Sequence, residues 1–200
     1  IGGGQGEMRI IESNIRGNTA DQGGGISAEG YLYVSKSQIV DNSASADCGG
    51  IRICCGMKAE IYNSTIANNS SGSDSGNGIT LTGENGSLIL KNNILWNDGD
   101  NEIKANDMGG SWNSNIKYSI IKNGLEGIEN QGYHHFTWGD GNTSNDPLLD
   151  GNYALLTGSP AIDSGHPHPW FIDHDDTRND MGSSGGSGIN ASTTELNFGY

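Results

Sequence analysis

Two hundred residues are enough for one domain or one run of stacked repeats. Hydrophobic residues make up only 32% of the chain while Gly fills 33 positions, which excludes a bulky globular core and favours tight, recurring turns. The 24 acidic against 10 basic side chains leave a formal charge of −14, which repels phosphates and argues against nucleic-acid binding.

No apolar run is long enough for membrane insertion. The chain starts abruptly at Ile1-Gly2-Gly3-Gly4 and stops at Phe198-Gly199-Tyr200, and both ends read as cut from a longer protein. Aligning segments on Ser13, Ser37, Ser64, Asn92 and Ser119 gives intervals of 24, 27, 28 and 27 residues, a solenoid period. Three positions before each anchor stand Ile10, Val34, Ile61, Ile89 and Ile116, and two positions after it Ile15, Ile39, Ile66, Ile94 and Ile121. A further column, often preceded by Gly, reads Ile26, Ile51, Ile79, Ile103 and Ile128. Asn18, Asn42, Asn69 and Asn97 lie five after the anchors, where the fifth repeat has Gly124.

These pieces are short and β-branched, so strands are expected and helices of any length are not. One coil cannot bury its Ile residues alone, but coils stacked at about 4.8 Å place like residues over one another. The Asn column is then a structural ladder along the axis. The phrases Gly23-Gly24-Gly25-Ile26, Gly49-Gly50-Ile51 and Asn63-Ser64-Thr65-Ile66-Ala67-Asn68-Asn69 resemble right-handed parallel β-helix repeat proteins of bacterial surfaces, the pectate-lyase-like fold group. The resemblance covers residues 1 to about 128 and implies an all-β, right-handed, single-stranded parallel β-helix of about five to seven coils. That group includes lyases, adhesins and structural shafts, so the fold alone does not assign activity.

After residue 128 the spacing breaks, and Tyr133-His134-His135-Phe136-Thr137-Trp138 is expected to cover the open end of the stack. Asn145-Asp146-Pro147-Leu148-Leu149, Gly158-Ser159-Pro160-Ala161-Ile162-Asp163-Ser164-Gly165 and Asp173-His174-Asp175-Asp176-Thr177-Arg178-Asn179-Asp180-Met181-Gly182 resemble the C-terminal segment of choice-of-anchor Q β-helix proteins. Residues 129–182 are thus expected to form a terminal coil and capping segment. The resemblance implies export, secreted or at the bacterial cell surface. Residues 183–190 read as a Gly/Ser linker, and residues 191–200 as the start of a following immunoglobulin-like module.

Asp173, Asp175, Asp176 and Asp180 cluster oxygen ligands as a candidate calcium loop, although the twelfth-position Glu and central Gly of an EF-hand are missing. The plainer expectation is that Arg178 pairs with one or two of these Asp residues. Cys48, Cys54 and Cys55 are an odd number without zinc-ligand spacing, read either as a local disulfide or as small packing residues. His134-His135 and His166-Pro167-His168 read as loop histidines.

A polysaccharide lyase needs acidic calcium ligands and a Lys or Arg base on one outer face. The outer positions before the anchors are Glu12, Lys36, Asn63, Lys91 and Tyr118, which is no acidic column, though Arg52 with Glu29 or Glu60 offers a local constellation. Flat sugar rings stack on aromatic faces, which makes Trp96 and Trp112 the candidate glycan contacts. The expectation is a noncatalytic extracellular β-helix, serving as adhesin, shaft or glycan-contact surface, with a polysaccharide lyase as the alternative.

Overall fold

The computed structural model describes residues 1–185 apart from 4, 5, 56, 73–75, 84, 107–109, 132 and 133. The expected module start at 191–200 and most of the 183–190 linker lie outside the described residues.

The first coil carries β1 (Gly2–Gly3), β2 (Glu7–Ile11), β3 (Asn14–Arg16) and β4 (Thr19–Ala20). The second repeats it as β5 (Ile26–Ala28), β6 (Tyr31–Ser35), β7 (Gln38–Val40) and β8 (Ser43–Ala44), and the third as β9 (Ile51–Ile53), β10 (Lys58–Tyr62), β11 (Thr65–Ala67) and β12 (Ser70–Ser71). Three strands each make the fourth coil, β13 (Ile79–Leu81), β14 (Gly86–Lys91) and β15 (Ile94–Trp96), and the fifth, β16 (Ile103–Ala105), β17 (Trp112–Lys117) and β18 (Ile120–Ile121). Two strands of a sixth follow, β19 (Ile128–Asn130) and β20 (His135–Trp138). Every ladder between them is parallel and joins the same strand of successive coils, so the chain is a β-solenoid of about five turns. Its sheets run β1-β5-β9-β13-β16-β19, β2-β6-β10-β14-β17-β20, β3-β7-β11-β15-β18 and β4-β8-β12.

The stacked interior is built as the periodicity requires. Ile26, Ile51, Ile79, Ile103 and Ile128 pair in register. The other two columns slip by one residue in the fourth coil. Leu90 pairs with Ile61 and Ile116, and Leu95 with Ile66 and Ile121, so these residues, not Ile89 and Ile94, complete the columns. The reason is a one-residue shift of the turn. The backbone N–H of each anchor bonds to the side-chain oxygen of the next, Ser13 to Ser37, Ser37 to Ser64, Ser64 to Asn93, Asn93 to Ser119 and Ser119 to Asn142. The fourth anchor is therefore Asn93. Asn92 instead joins Glu12, Lys36, Asn63 and Tyr118, which precede the anchors with positive φ of 44° to 57°. A second left-handed position, held by Gly17, Asp41 and Asn68, has no counterpart after Trp96, which returns the ladder Asn97 to register.

The Asn ladder runs through Asn18, Asn42, Asn69 and Asn97. The Oδ1 atoms of Asn42, Asn69 and Asn97 each accept both the backbone N–H and the side-chain amide of the Asn one coil earlier, at 2.8–3.0 Å. The second amide hydrogen of Asn42, Asn69 and Asn97 reaches the carbonyl of Ile15, Ile39 and Ile66. All donors of these buried amides are thereby satisfied, which removes the desolvation cost of placing them inside. Glycines make room: a side chain on Gly78 would meet Asn97 Nδ2 at 2.8 Å and Glu102 O at 2.7 Å.

Phe136 and Trp138, on the sixth-coil strand, pack against the end of the main core cluster. Residues beyond Thr143 instead double back along the outer face of the β3-β7-β11-β15-β18 sheet. This return segment buries Ile94 and Ile120 against Ala161 and Met181, and ties down through Asn63–Asn179, His166–Asn92, Gly182–Asn92 and Ser183–Thr65 hydrogen bonds. Ser183, assigned to a linker by its composition, is therefore docked on the third coil. Cys54 and Cys55 form a disulfide between neighbours, and Cys48 is a buried free thiol whose pKa burial pushes up to about 12.

Candidate functional site

Alternation along a strand sends Leu95 inward and its neighbours Ile94 and Trp96 outward. Ile94 is covered by the return segment, whereas Trp96 stays part-exposed at the edge of that cover. A groove of about 360 Å³ opens there, floored by Ala67, Asn68 and Trp96. Asn97, Asp98 and Lys122 form one wall, and Asp146, Pro147, Leu149, Asp150 and Tyr153 of the return segment form the other. This volume is within the range of small-ligand clefts.

Polar contacts join the groove's own residues. Tyr153 donates its hydroxyl to Asp41, and Arg16 lies 5.7 Å from the Tyr153 ring centroid while pairing with Asp41 at 2.7 Å. Burial would raise the Asp41 pKa, but hydrogen bonds from Tyr153 and Asn68 and the charge of Arg16 outweigh it, and the carboxyl sits below its ordinary value. Burial and the Asp41 bond push the Tyr153 hydroxyl up to about 12, so the ring stays neutral. Lys122 donates to the Asn97 carbonyl at 2.6 Å, with its ammonium 6.0 Å from the Trp96 centroid. Asp146 accepts the N–H of Leu148, and Asp150 those of Asn152 and Ala154.

Trp112 is not a glycan contact. It shares its parity with Ile116, points inward, and is 0% exposed in the main core. Its register partner is Gly86, and a side chain there would meet the indole at 2.6 Å. The same alternation, counted back from the Ile116 column, would have placed Trp112 inside.

The four calcium candidates share one loop, and most are taken up by backbone N–H groups. Asp173 accepts the N–H of Asp180, Asp175 caps Thr177 through its N–H and hydroxyl, Asp176 is exposed with φ 63°, and Asp180 accepts the N–H of Asp163. Among the described residues no group of three or more His, Cys, Asp or Glu side chains is placed to hold a metal ion. Arg178 forms no ion pair with an Asp among them either. Its guanidinium donates to the Gly165 and Ser164 carbonyls and lies over Tyr118. The constellation of Arg52 with Glu29 or Glu60 does not form: Arg52 pairs with Asp47, and Glu60 takes Lys58, Tyr31 and Tyr62.

One buried group escaped the sequence reading. Glu102 is 1% exposed and ends the Asn ladder, accepting the Asn97 N–H and side-chain amide at 2.8 and 2.6 Å. It stands where the other coils begin with Gly25, Gly50, Gly78 or Gly127, while Gly124 stands where they carry the ladder Asn. That paired exchange was the available signal. Compared with protein-family models, curated proteins and solved structures, the chain matches none.

Proposed function

We propose that the chain is a noncatalytic glycan-contact solenoid of a secreted or cell-surface protein, with the Trp96 groove as its sugar subsite. The supporting observation is an outward indole beside Tyr153 in a cleft whose walls carry carboxylate, amide and ammonium groups. An aromatic face takes the apolar side of a pyranose, and the polar walls take its hydroxyls. The resemblance of residues 145–182 to a choice-of-anchor Q segment, and of the repeats to the right-handed pectate-lyase-like group, supports an exported role as adhesin or shaft.

The test is a glycan array with the whole chain and its Trp96→Ala variant. Loss of one stacking contact, about 1 kcal/mol, should weaken binding about fivefold. Binding that survives the substitution unchanged would sink the assignment, and so would the absence of any bound glycan.

A lyase-type reading has one observation in its favour: Asp98, Asp146 and Asp150 share the groove with Lys122. Two of these carboxylates are engaged by their own loop, and the lysine is bonded to a carbonyl rather than held beside a reacting carbon. On pectate or alginate with calcium, the noncatalytic reading expects no unsaturated product. Product that disappears in Lys122→Ala would reverse the order of the two readings.

A further inference from the structure

Six of the ten basic side chains, Arg9, Arg16, Lys36, Arg52, Lys58 and Lys104, form ion pairs with carboxylates. Lys91 and Lys117 form none among the described residues, although acidic groups outnumber basic ones across the chain. They are direct register partners on β14 and β17, facing outward on successive coils. Like charges placed opposite one another destabilise a sheet, so this pair opposes folding unless an anion joins it.

The return segment adds an imidazole beside this pair. It seats His166 by a 2.7 Å bond from its N–H to Asn92 Oδ1, with the imidazole 4.8 Å from the Tyr118 ring and 5.0 Å from that of Phe171. His166 Nδ1 accepts the N–H of His168, which leaves Nε2 as the donor of the neutral ring. Lys91, His168, Lys117 and Arg178 lie near enough to act on His166 electrostatically. Burial and these neighbours lower its pKa. Above Lys117 the row ends at Gly139, where a side chain would meet the lysine stem at 2.6 Å, so the stem lies along that glycine.

We propose that Lys91, Lys117 and His166 form a binding site for a tetrahedral oxyanion, a sulfate or phosphate ester. Two ammonium groups and an imidazole N–H supply donors to more oxygens than one carboxylate offers, and the anion relieves the repulsion between the lysines. The site precedes β15 and the Trp96 groove follows it, so the two stand or fall separately.

Sodium sulfate and sodium phosphate are titrated into the whole chain at ionic strength held constant with sodium chloride, following the His166 ring resonances. Saturable shifts are expected, with affinity lowered about tenfold in Lys91→Gln/Lys117→Gln and unchanged in Trp96→Ala. In chloride alone the double variant should melt no lower than the parent, which separates loss of the site from loss of the fold. Shifts that fail to saturate, persist in the double variant, or are matched by acetate would overturn the proposal. A sulfated and a phosphorylated monosaccharide, run in parallel, decide between the two esters.

Discussion

Asn97 closes its amide run on a carboxylate, and that exchange makes one rung of the interior titratable. Burial raises the Glu102 pKa to about 7 against the opposing hydrogen bonds from Asn97. An unfolded Glu titrates near about 4.3. Between those values the folded chain binds more protons than the unfolded one, so this stabilisation is complete below about pH 4.3 and is lost as pH rises through about 7. Asp180, raised by burial to about 6, acts in the same direction. Glu102→Gln offers the Asn97 amide one acceptor and one donor, as the protonated acid does. It should stay within about 1 kcal/mol of the parent at low pH and gain on it as pH rises through about 7, where the parent loses its protonated-state stabilisation. Chemical denaturation across that range reads both, and a constant difference would contradict the buried, titrating carboxyl. At the hydrophobic columns, Ile66 is fully buried between Ile39 and Leu95. Ile66→Asp should cost roughly 3–5 kcal/mol and unfold the middle coils; a melting curve matching the parent's would show that the carboxylate finds water.

The return segment behaves as a strap over one sheet rather than as a lid on one end. Ile94 and Ile120 face outward from the solenoid and are nevertheless fully buried, in a cluster with the strap's Ala161 and Met181. A chain ending at residue 145 should therefore expose them, at about 1.5–3 kcal/mol for each large side chain uncovered. Amide hydrogen exchange should accelerate in β15 and β18 while β5 and β9 keep their protection. Uniform protection across all four strands would mean that the strap adds nothing to the sheet beneath it. The same element also shapes both sites argued above, since Tyr153 walls the Trp96 groove and His166 supplies the imidazole beside Lys91 and Lys117. Sequence alone gave no means of placing it, because its contacts with Thr65 and Asn63 span more than a hundred residues and follow no period.

At the scale of the whole molecule, the legible part was whatever repeats. The Ile26 column and the Asn ladder follow from spacing and stack as the spacing requires. The slip in the fourth coil came from adjacent amides at Asn92 and Asn93, either of which satisfies the pattern, while the shortened turn after Trp96 hid the shift by restoring Asn97. Trp96 and Trp112 look alike as aromatic candidates in the sequence; strand parity counted back from Ile116 is what separates them, with Trp112 in the core and Trp96 part-exposed. The strap has one more consequence, which concerns mechanical load. Gly182 and Ser183 are fastened to Asn92 and Thr65 in the fourth and third coils, so tension applied at residue 185 enters the rod at its middle. The sixth coil, with neighbours on one side only, is bypassed by that force path. Pulled between residues 1 and 185, the chain should first release the strap and only then unwind its terminal strands, giving a short extension step ahead of the long one.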